Sequence, residues 1–313
     1  MATIKAVRIH AYGGPDQLVY EDAPKPEPAA DELLVRVHAA AINPVDWKVR
    51  LGYLREFSPY ELPLILGWDV SGVVEAVGAA VTNFKVSDEI YSRPDLTRSG
   101  AYTEYMVLRA SEAAHKPRSI DHIHAAAVPL AALTAWASLF DAGQLEAGQK
   151  VLIHAAAGGV GTFAVQLAKW KGAHVIGTAS SRNRDFLQQL GVDEFVDYTS
   201  TKFEDVVRDV DVVFDTIGGE TQERSWQVLK PGGVLVSVIS PPAQETADQH
   251  GVRQAYIFID PNAARLTEIA GLIDDGTIKP IVETVLPLSE TRQAHELSES
   301  GHARGKIVLR VAE

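Results

Sequence analysis

The spacing of hydrophobic positions changes character near residue 124. Before it, short runs such as Glu32-Leu33-Leu34-Val35-Arg36-Val37-His38 alternate at period two, the mark of half-buried strands. Glycine, proline and aspartate punctuate them at Tyr12-Gly13-Gly14-Pro15, at Pro24 to Pro28, and at Gly67, Gly72, Gly78 and Gly100. Many short strands with turn signals between them predict a barrel or sandwich. Beyond it, Ala125-Ala126-Ala127 through Phe140 reads as helix, rich in alanine and leucine. Strands and amphipathic helices then alternate. The strands are Val151–His154, Ala173–Gly177, Phe195–Asp197, Val210–Phe214, Val234–Ile239 and Ala255–Ile259; the helices include Thr162–Lys171, Arg184–Leu190 and Pro261–Asp274. That alternation predicts an α/β domain with a parallel sheet and covering helices. From 277 strand character returns, with Ile281–Val285 and Lys306–Val311 flanking a helix near 289–299. A β tail after an α/β domain suggests that the chain rejoins its first part. The expected division is therefore 1–123 with 277–313, and 124–276.

Length and composition narrow the class. A chain of 313 residues suggests about two domains. A net charge of −12 argues against nucleic acid or an anionic membrane surface as partner, since both require clustered lysine and arginine. The absence of cysteine excludes disulfides, thiolate metal sites and cysteine nucleophiles. The start, Met1 to Val7, lacks the apolar core of a signal peptide, and no apolar run approaches ~20 residues. The expected setting is cytoplasmic.

The most informative segment is Ala156-Ala157-Gly158-Gly159-Val160-Gly161. It follows a strand and opens a helix, the context a dinucleotide fingerprint requires. Gly158 lets the backbone approach a pyrophosphate, Gly161 lets the helix pack on the strand, and the helix start offers unpaired N–H groups to phosphates. The first glycine of the usual pattern is Ala156 here. After the second strand comes Thr178-Ala179-Ser180-Ser181-Arg182-Asn183-Arg184, with no acid before Asp185. A carboxylate there would bind ribose hydroxyls; Ser180, Ser181, Arg182 and Arg184 suit a 2′-phosphate instead, so NADP is the expected cofactor.

Four separated segments carry a resemblance to a known family. They are Ala41-Ile42-Asn43-Pro44-Val45-Asp46-Trp47-Lys48, the stretch from Gly67-Trp68-Asp69 to Gly78, Ala155 to Gly161, and Gly305-Lys306-Ile307-Val308-Leu309. In this order, over essentially the whole chain, they resemble the zinc-independent quinone oxidoreductase branch of the medium-chain dehydrogenase/reductase superfamily. The resemblance implies a GroES-like β-barrel domain, a Rossmann domain, a cleft between them, and a homodimer formed through the Rossmann edge strand, for which 255–259 is the candidate.

The same resemblance bears on metal and mechanism. The positions matching the zinc ligands of zinc-dependent relatives are Asn43, Trp68 and Leu130, none of them a reasonable ligand. Without a Lewis acid, reduction of a conjugated electrophile is easier than oxidation of an unactivated alcohol. The implied activity is NADPH-dependent hydride transfer to quinones or α,β-unsaturated carbonyl compounds. The alternatives are an enoyl reductase acting on acyl thioesters and a non-catalytic NADPH-binding protein. Asn43 and Lys48 are the catalytic candidates: the Asn43 amide as a hydrogen-bond donor to the developing oxygen, and Lys48, by the resemblance, reaching either the nicotinamide ribose or the substrate oxygen; Asp46 is read as a local structural residue. Trp47, Tyr53 and Trp68 are candidates for an aromatic substrate pocket. Further cofactor positions are Thr134, Tyr198, Thr216, Val238, Ile239, Ser240, Arg304 and Lys306.

Overall fold

The computed structural model describes residues 2–56 and 58–312. Eight strands come first: β1 (Thr3–Ile9), β2 (Val19–Pro24), β3 (Glu32–Ala41), β4 (Leu64–Ile65), β5 (Val70–Val77), β6 (Glu89–Ser92), β7 (Tyr105–Arg109) and β8 (Ala113–His115). Helix α1 (Pro44–Arg50) follows β3, and helices α2 (His122–Ala126) and α3 (Pro129–Trp136) follow β8. The alternating region runs β9 (Lys150–Ile153), α4 (Gly159–Trp170), β10 (His174–Ala179), α5 (Arg184–Leu190), β11 (Glu194–Asp197), α6 (Phe203–Val206), β12 (Val210–Asp215), α7 (Gly219–Ser225), β13 (Leu229–Ser237), α8 (Gln244–His250) and β14 (Arg253–Tyr256). The chain closes with α9 (Ala263–Asp274), β15 (Val282–Pro287), α10 (Thr291–Glu299) and β16 (Lys306–Arg310).

The chain forms two compact units. The first runs to Leu130 and takes in Asp260–Gly276 and the chain from Pro280 onward; the second is Ala131–Ile259 with Thr277–Lys279. The sequence expectation put the breaks at 123 and 277. They differ because α2 packs against β3 and β5, and α9 against β8, so both helices cover the first unit's sheet. The expected helix from Ala125 to Phe140 is also divided. Pro129 has no N–H to donate, so α2 ends at Ala126 and α3 starts afresh, continuing into a wider π-type turn over Ala137–Ala142.

In the first unit the central strand is β3. It pairs antiparallel with β5, β7 and β16, within a sheet of order β15-β16-β3-β5-β6-β8. A smaller sheet has the order β2-β1-β4. Alternate residues of these strands, with Trp68 and Tyr102, build one apolar core. Gly67 is required where the chain enters β5: its φ is +93°, and a Cβ would meet the Tyr102 ring at 2.3 Å. This turn aims Trp68 inward and delivers Asp69 to the sheet's end.

In the second unit six strands run parallel in the order β11-β10-β9-β12-β13-β14. Numbered within the unit this is 3-2-1-4-5-6, the Rossmann order. The order reverses between β9 and β12. The buried valines, leucines and phenylalanines of these strands read as near-continuous apolar runs because helices cover both faces. β14 is an edge, paired only with β13.

Candidate functional site

In the first unit, Asn43, Asp69 and Lys306 meet at one end of the large sheet. Asn43 lies just beyond β3, Asp69 just before β5, and Lys306 opens β16. All three are buried. The Lys306 ammonium donates to the Ile42 carbonyl at 3.0 Å, to Asp69 Oδ2 at 3.1 Å and to Asn43 Oδ1. The Asn43 amide donates to Asp69 Oδ2 at 2.8 Å, and the Leu130 backbone N–H to Asp69 Oδ1 at 2.7 Å. Burial pushes the Asp69 carboxyl above its usual range, against the pull of Lys306 and the Asn43 amide.

Asp46 sits beneath this cluster. Its Oδ2 accepts from the Asn43 backbone N–H at 2.7 Å, the reciprocal half of a helix capping box, and from the Tyr102 hydroxyl at 2.6 Å. Its Oδ1 is buried without a partner. Burial raises its pKa to about 7, although Tyr102, Asn43 and Lys306 all favour the charged form.

The other first-unit candidates separate. Lys48, on α1, is half-buried, and its ammonium lies 5.7 Å from the centre of the Trp47 ring. It makes no ion pair among the described residues, and burial lowers its pKa. Trp47 is partly exposed with a buried, unpartnered indole N–H, and Tyr53 is 65% exposed. Trp68 corrects the sequence reading: it is 0% exposed, its indole donates to the Arg98 carbonyl at 3.0 Å, and it is a core residue, not a pocket wall. The cause is the Gly67 turn, which directs its side chain into the barrel.

In the second unit the glycine segment forms the turn from β9 into α4, at the reversal of strand order. Gly158 caps α4 in an extended conformation. A Cβ on Gly161 would lie 2.3 Å from the Ala155 carbonyl oxygen and 2.8 Å from Ala156 Cα, so only glycine lets helix and strand approach this closely. On Gly158 the nearest atom would be 3.3 Å away, which leaves its open face to a ligand. Ala157, Gly159 and Val160 complete the turn.

The remaining second-unit candidates, Thr134 apart, lie at the same carboxyl edge of the sheet. Ser180, Ser181, Arg182 and Arg184 follow β10, and Tyr198 follows β11; the pairing of Ala179 with Asp197 brings these two strand ends together. Arg182, Arg184 and Tyr198 are exposed, and Arg184 lies 4.4 Å from the centre of the Phe195 ring. Thr216, after β12, donates to the His154 carbonyl at 2.8 Å. Val238, Ile239 and Ser240 follow β13. Asp215, buried, holds both loops: it accepts from the N–H groups of Ile217 and Gly218, the Gln222 amide and the Ser237 hydroxyl. Thr134, on α3, is buried within this unit.

Two tail residues do not support the cofactor role expected of them. Lys306 is buried in the first unit, and its ammonium is committed to Ile42, Asn43 and Asp69. Arg304 in the same unit is tied to Glu283, its backbone N–H donating to the carboxylate at 2.9 Å. Sequence reading gave Asp69 no role, although it lies inside a quoted segment; the only available signal was an acid between tryptophan and valine in an otherwise apolar run.

Comparison with known proteins agrees with this architecture. Residues 29–118 match the alcohol dehydrogenase GroES-like domain, and residues 190–309 a family described as zinc-binding dehydrogenase. The mitochondrial NAD(P)H oxidoreductase RTN4IP1 of Danio rerio is 35% identical, covering 90% of this chain and 84% of its own. The chloroplastic quinone-oxidoreductase homolog of Spinacia oleracea is 31% identical, covering 97% of each chain. The 2-methylene-furan-3-one reductase of Solanum lycopersicum is 33% identical over 98% of this chain and 79% of its own. Among solved structures, the quinone oxidoreductase from Coxiella burnetii superposes with a TM-score of 0.93 at 35% identity, covering 99% of this chain and 100% of its own. Mycobacterial Rv1454c complexed with NADPH gives 0.90 at 29% identity, over 98% of this chain and 100% of its own.

A GroES-like unit joined to a Rossmann unit defines the class. The chain belongs to the quinone oxidoreductase-like proteins of the medium-chain dehydrogenase/reductase superfamily. The cytoplasmic expectation is overturned, because the zebrafish relative is named mitochondrial and the spinach relative chloroplastic. Composition could not make that distinction, since soluble enzymes of the cytosol and of organelles have the same kind of surface. No helix among the described residues is long and apolar enough to cross a membrane.

Proposed function

We propose that this chain is an NADPH-dependent oxidoreductase that reduces conjugated electrophiles, quinones or α,β-unsaturated carbonyl compounds, without a metal. One observation carries the reading: the Gly158–Gly161 turn opens where the strand order reverses, beside a strand end bearing Ser180, Ser181, Arg182 and Arg184. A pyrophosphate fits the open face of that turn and the N–H groups of α4, and a 2′-phosphate fits the serines and arginines. Bound there, NADPH supplies hydride. Relatives named NAD(P)H oxidoreductase and a relative structure holding NADPH support the cofactor.

Zinc does not fit the matching positions. Leu130 offers only a backbone N–H, Trp68 is turned into the core, and the Asn43 oxygen accepts from Lys306. The Lys306 ammonium bonded to the Asp69 carboxylate repels a second cation where a metal would need its ligands. Charge developing on a substrate oxygen is met instead by hydrogen-bond donors. Lys48 suits that task, because it is unpaired and its lowered pKa makes it a readier proton donor. Asn43 keeps one amide N–H beyond the one given to Asp69. Trp47, whose ring centre lies 5.7 Å from the Lys48 ammonium, and Tyr53, whose backbone N–H donates to the Lys48 carbonyl at 3.0 Å, supply aromatic groups on and just after α1. The tomato relative named 2-methylene-furan-3-one reductase, whose named substrate is a conjugated enone, supports enones as a substrate class. A homodimer formed through the exposed edge β14, where Tyr256 and Phe258 are exposed, completes the reading.

The test is NADPH oxidation followed by nicotinamide absorbance with a quinone, an enal, an enone and a nitroalkene, with and without chelator. Turnover that survives chelation is the expected result. Silence across the panel with intact NADPH binding overturns catalysis in favour of a binding protein, and turnover of acyl thioesters alone favours the enoyl reductase.

A further inference from the structure

Arg93 follows β6 directly. β6 and β5 pair antiparallel through Ser92 and Val70, so the next residues outward, Arg93 and Asp69, stand side by side at one end of the sheet. Val70 also pairs with Ala40 of β3, which puts Asn43 at that same end. Arg93 is 4% exposed. Among the described residues it makes no hydrogen bond and no ion pair, and its Nε is buried without a partner.

This is an unusual state for an arginine. A guanidinium stays charged in proteins, so burying its Nε–H without an acceptor is costly, and native structures rarely tolerate it away from functional sites. The acids whose field it feels are Asp69, Asp260, Asp95 and Glu112. Three are engaged elsewhere: Asp69 by Lys306, and Asp95 and Glu112 by Arg109. Asp260 is exposed. Burial holds the guanidinium below its usual pKa despite them.

We infer that Arg93 binds the carboxylate of the substrate, so that the preferred electrophile is an α,β-unsaturated carbonyl compound carrying an acid group. The inference rests on the proposed reductase reading and names its substrate class. A planar guanidinium matches a carboxylate with two parallel hydrogen bonds. A phosphate dianion fits less well, because a single guanidinium neutralises only one of its two charges.

The test compares acetylacrylate, an enone acid, with its methyl ester. Reduction adds hydride and a proton across the carbon–carbon double bond, giving levulinate or its ester and NADP+. The protein prefers the acid by about tenfold or more in kcat/KM, and Arg93→Met lowers the acid-to-ester ratio by about 10- to 100-fold, as expected for charge-assisted hydrogen bonds. Arg93→Lys retains part of the preference. Levulinate raises the melting temperature of the protein and not that of Arg93→Met, while Arg93→Met without ligand melts higher because an unpartnered buried charge is gone.

Equal kcat/KM for acid and ester, or an unchanged ratio in Arg93→Met, overturns the inference while leaving the reductase reading intact. Weakened NADPH binding in Arg93→Met with an unchanged ratio also overturns it, assigning Arg93 to the cofactor. Levulinate stabilisation that depends on Arg93, in a protein that reduces nothing, upholds the carboxylate site and removes the reductase.

Discussion

The ammonium of Lys306 lies 3.1 Å from Asp69, in a site where the two side chains are 4% and 0% exposed. They are 237 residues apart in sequence, so the pair fastens the C-terminal strand to the N-terminal barrel. Removing one partner strands the other as an uncompensated buried charge. Lys306→Met is therefore expected to cost about 3–5 kcal/mol of stability by urea unfolding. Lys306→Met with Asp69→Asn recovers part of that loss; a double variant whose loss equals the sum of the singles sinks the coupling.

The glycine turn separates packing from ligand contact. Gly161→Ala puts a methyl 2.3 Å from a backbone oxygen, and is expected to destabilise by about 1–3 kcal/mol and to weaken NADPH binding. Gly158→Ala meets its nearest atom only at 3.3 Å. It should weaken NADPH binding with an unfolding free energy within about 0.5 kcal/mol of the parent. Calorimetric titration and thermal melting distinguish the two.

Arg182 and Arg184 test cofactor choice. The double replacement by alanine is expected to raise the dissociation constant for NADPH about 10- to 100-fold, and that for NADH less than about threefold. Added salt should erode NADPH affinity in the parent more than in the variant. Equal losses for the two cofactors would assign the arginines to fold stability.

Buried titrating groups give opposing pH dependences. His122 and His154 are held near pKa 4 and His295 near 3, mainly by burial. In the unfolded chain they bind protons below about 6.5, so stability falls as pH drops from about 6.5 toward 4. Asp46 acts the other way. Its folded pKa of about 7 exceeds its unfolded value, so its penalty is absent at low pH and grows as pH rises from about 4 to 7. Asp46→Asn should therefore raise stability at pH 7, on the order of 2 kcal/mol, and steepen the acid loss. A variant less stable at neutral pH than at acid pH, relative to the parent, contradicts this.

The edge strand β14 tests assembly. Phe258, just beyond it, is 57% exposed. Phe258→Asp should convert a dimer to monomers in sedimentation velocity without altering the far-ultraviolet spectrum. A parent that sediments as a monomer removes the dimer.

The sequence by itself determined the parts and their order. Period-two runs and turn residues made the first domain β-rich, and apolar runs alternating with amphipathic helices made the second a parallel sheet. The glycine turn and the arginines after β10 were legible because phosphate recognition is local in the chain. What the tertiary structure decided was long-range. Trp68 became core once the Gly67 turn aimed it inward, and Lys306 was spent on Asn43 and Asp69 instead of reaching a cofactor. Arg93 gained meaning only from its burial and its lack of partners, which no spacing reveals. The physical reason is the same in each case. Backbone pattern is written in neighbouring residues, whereas the charge environment of a buried side chain is set by residues that only folding brings near it.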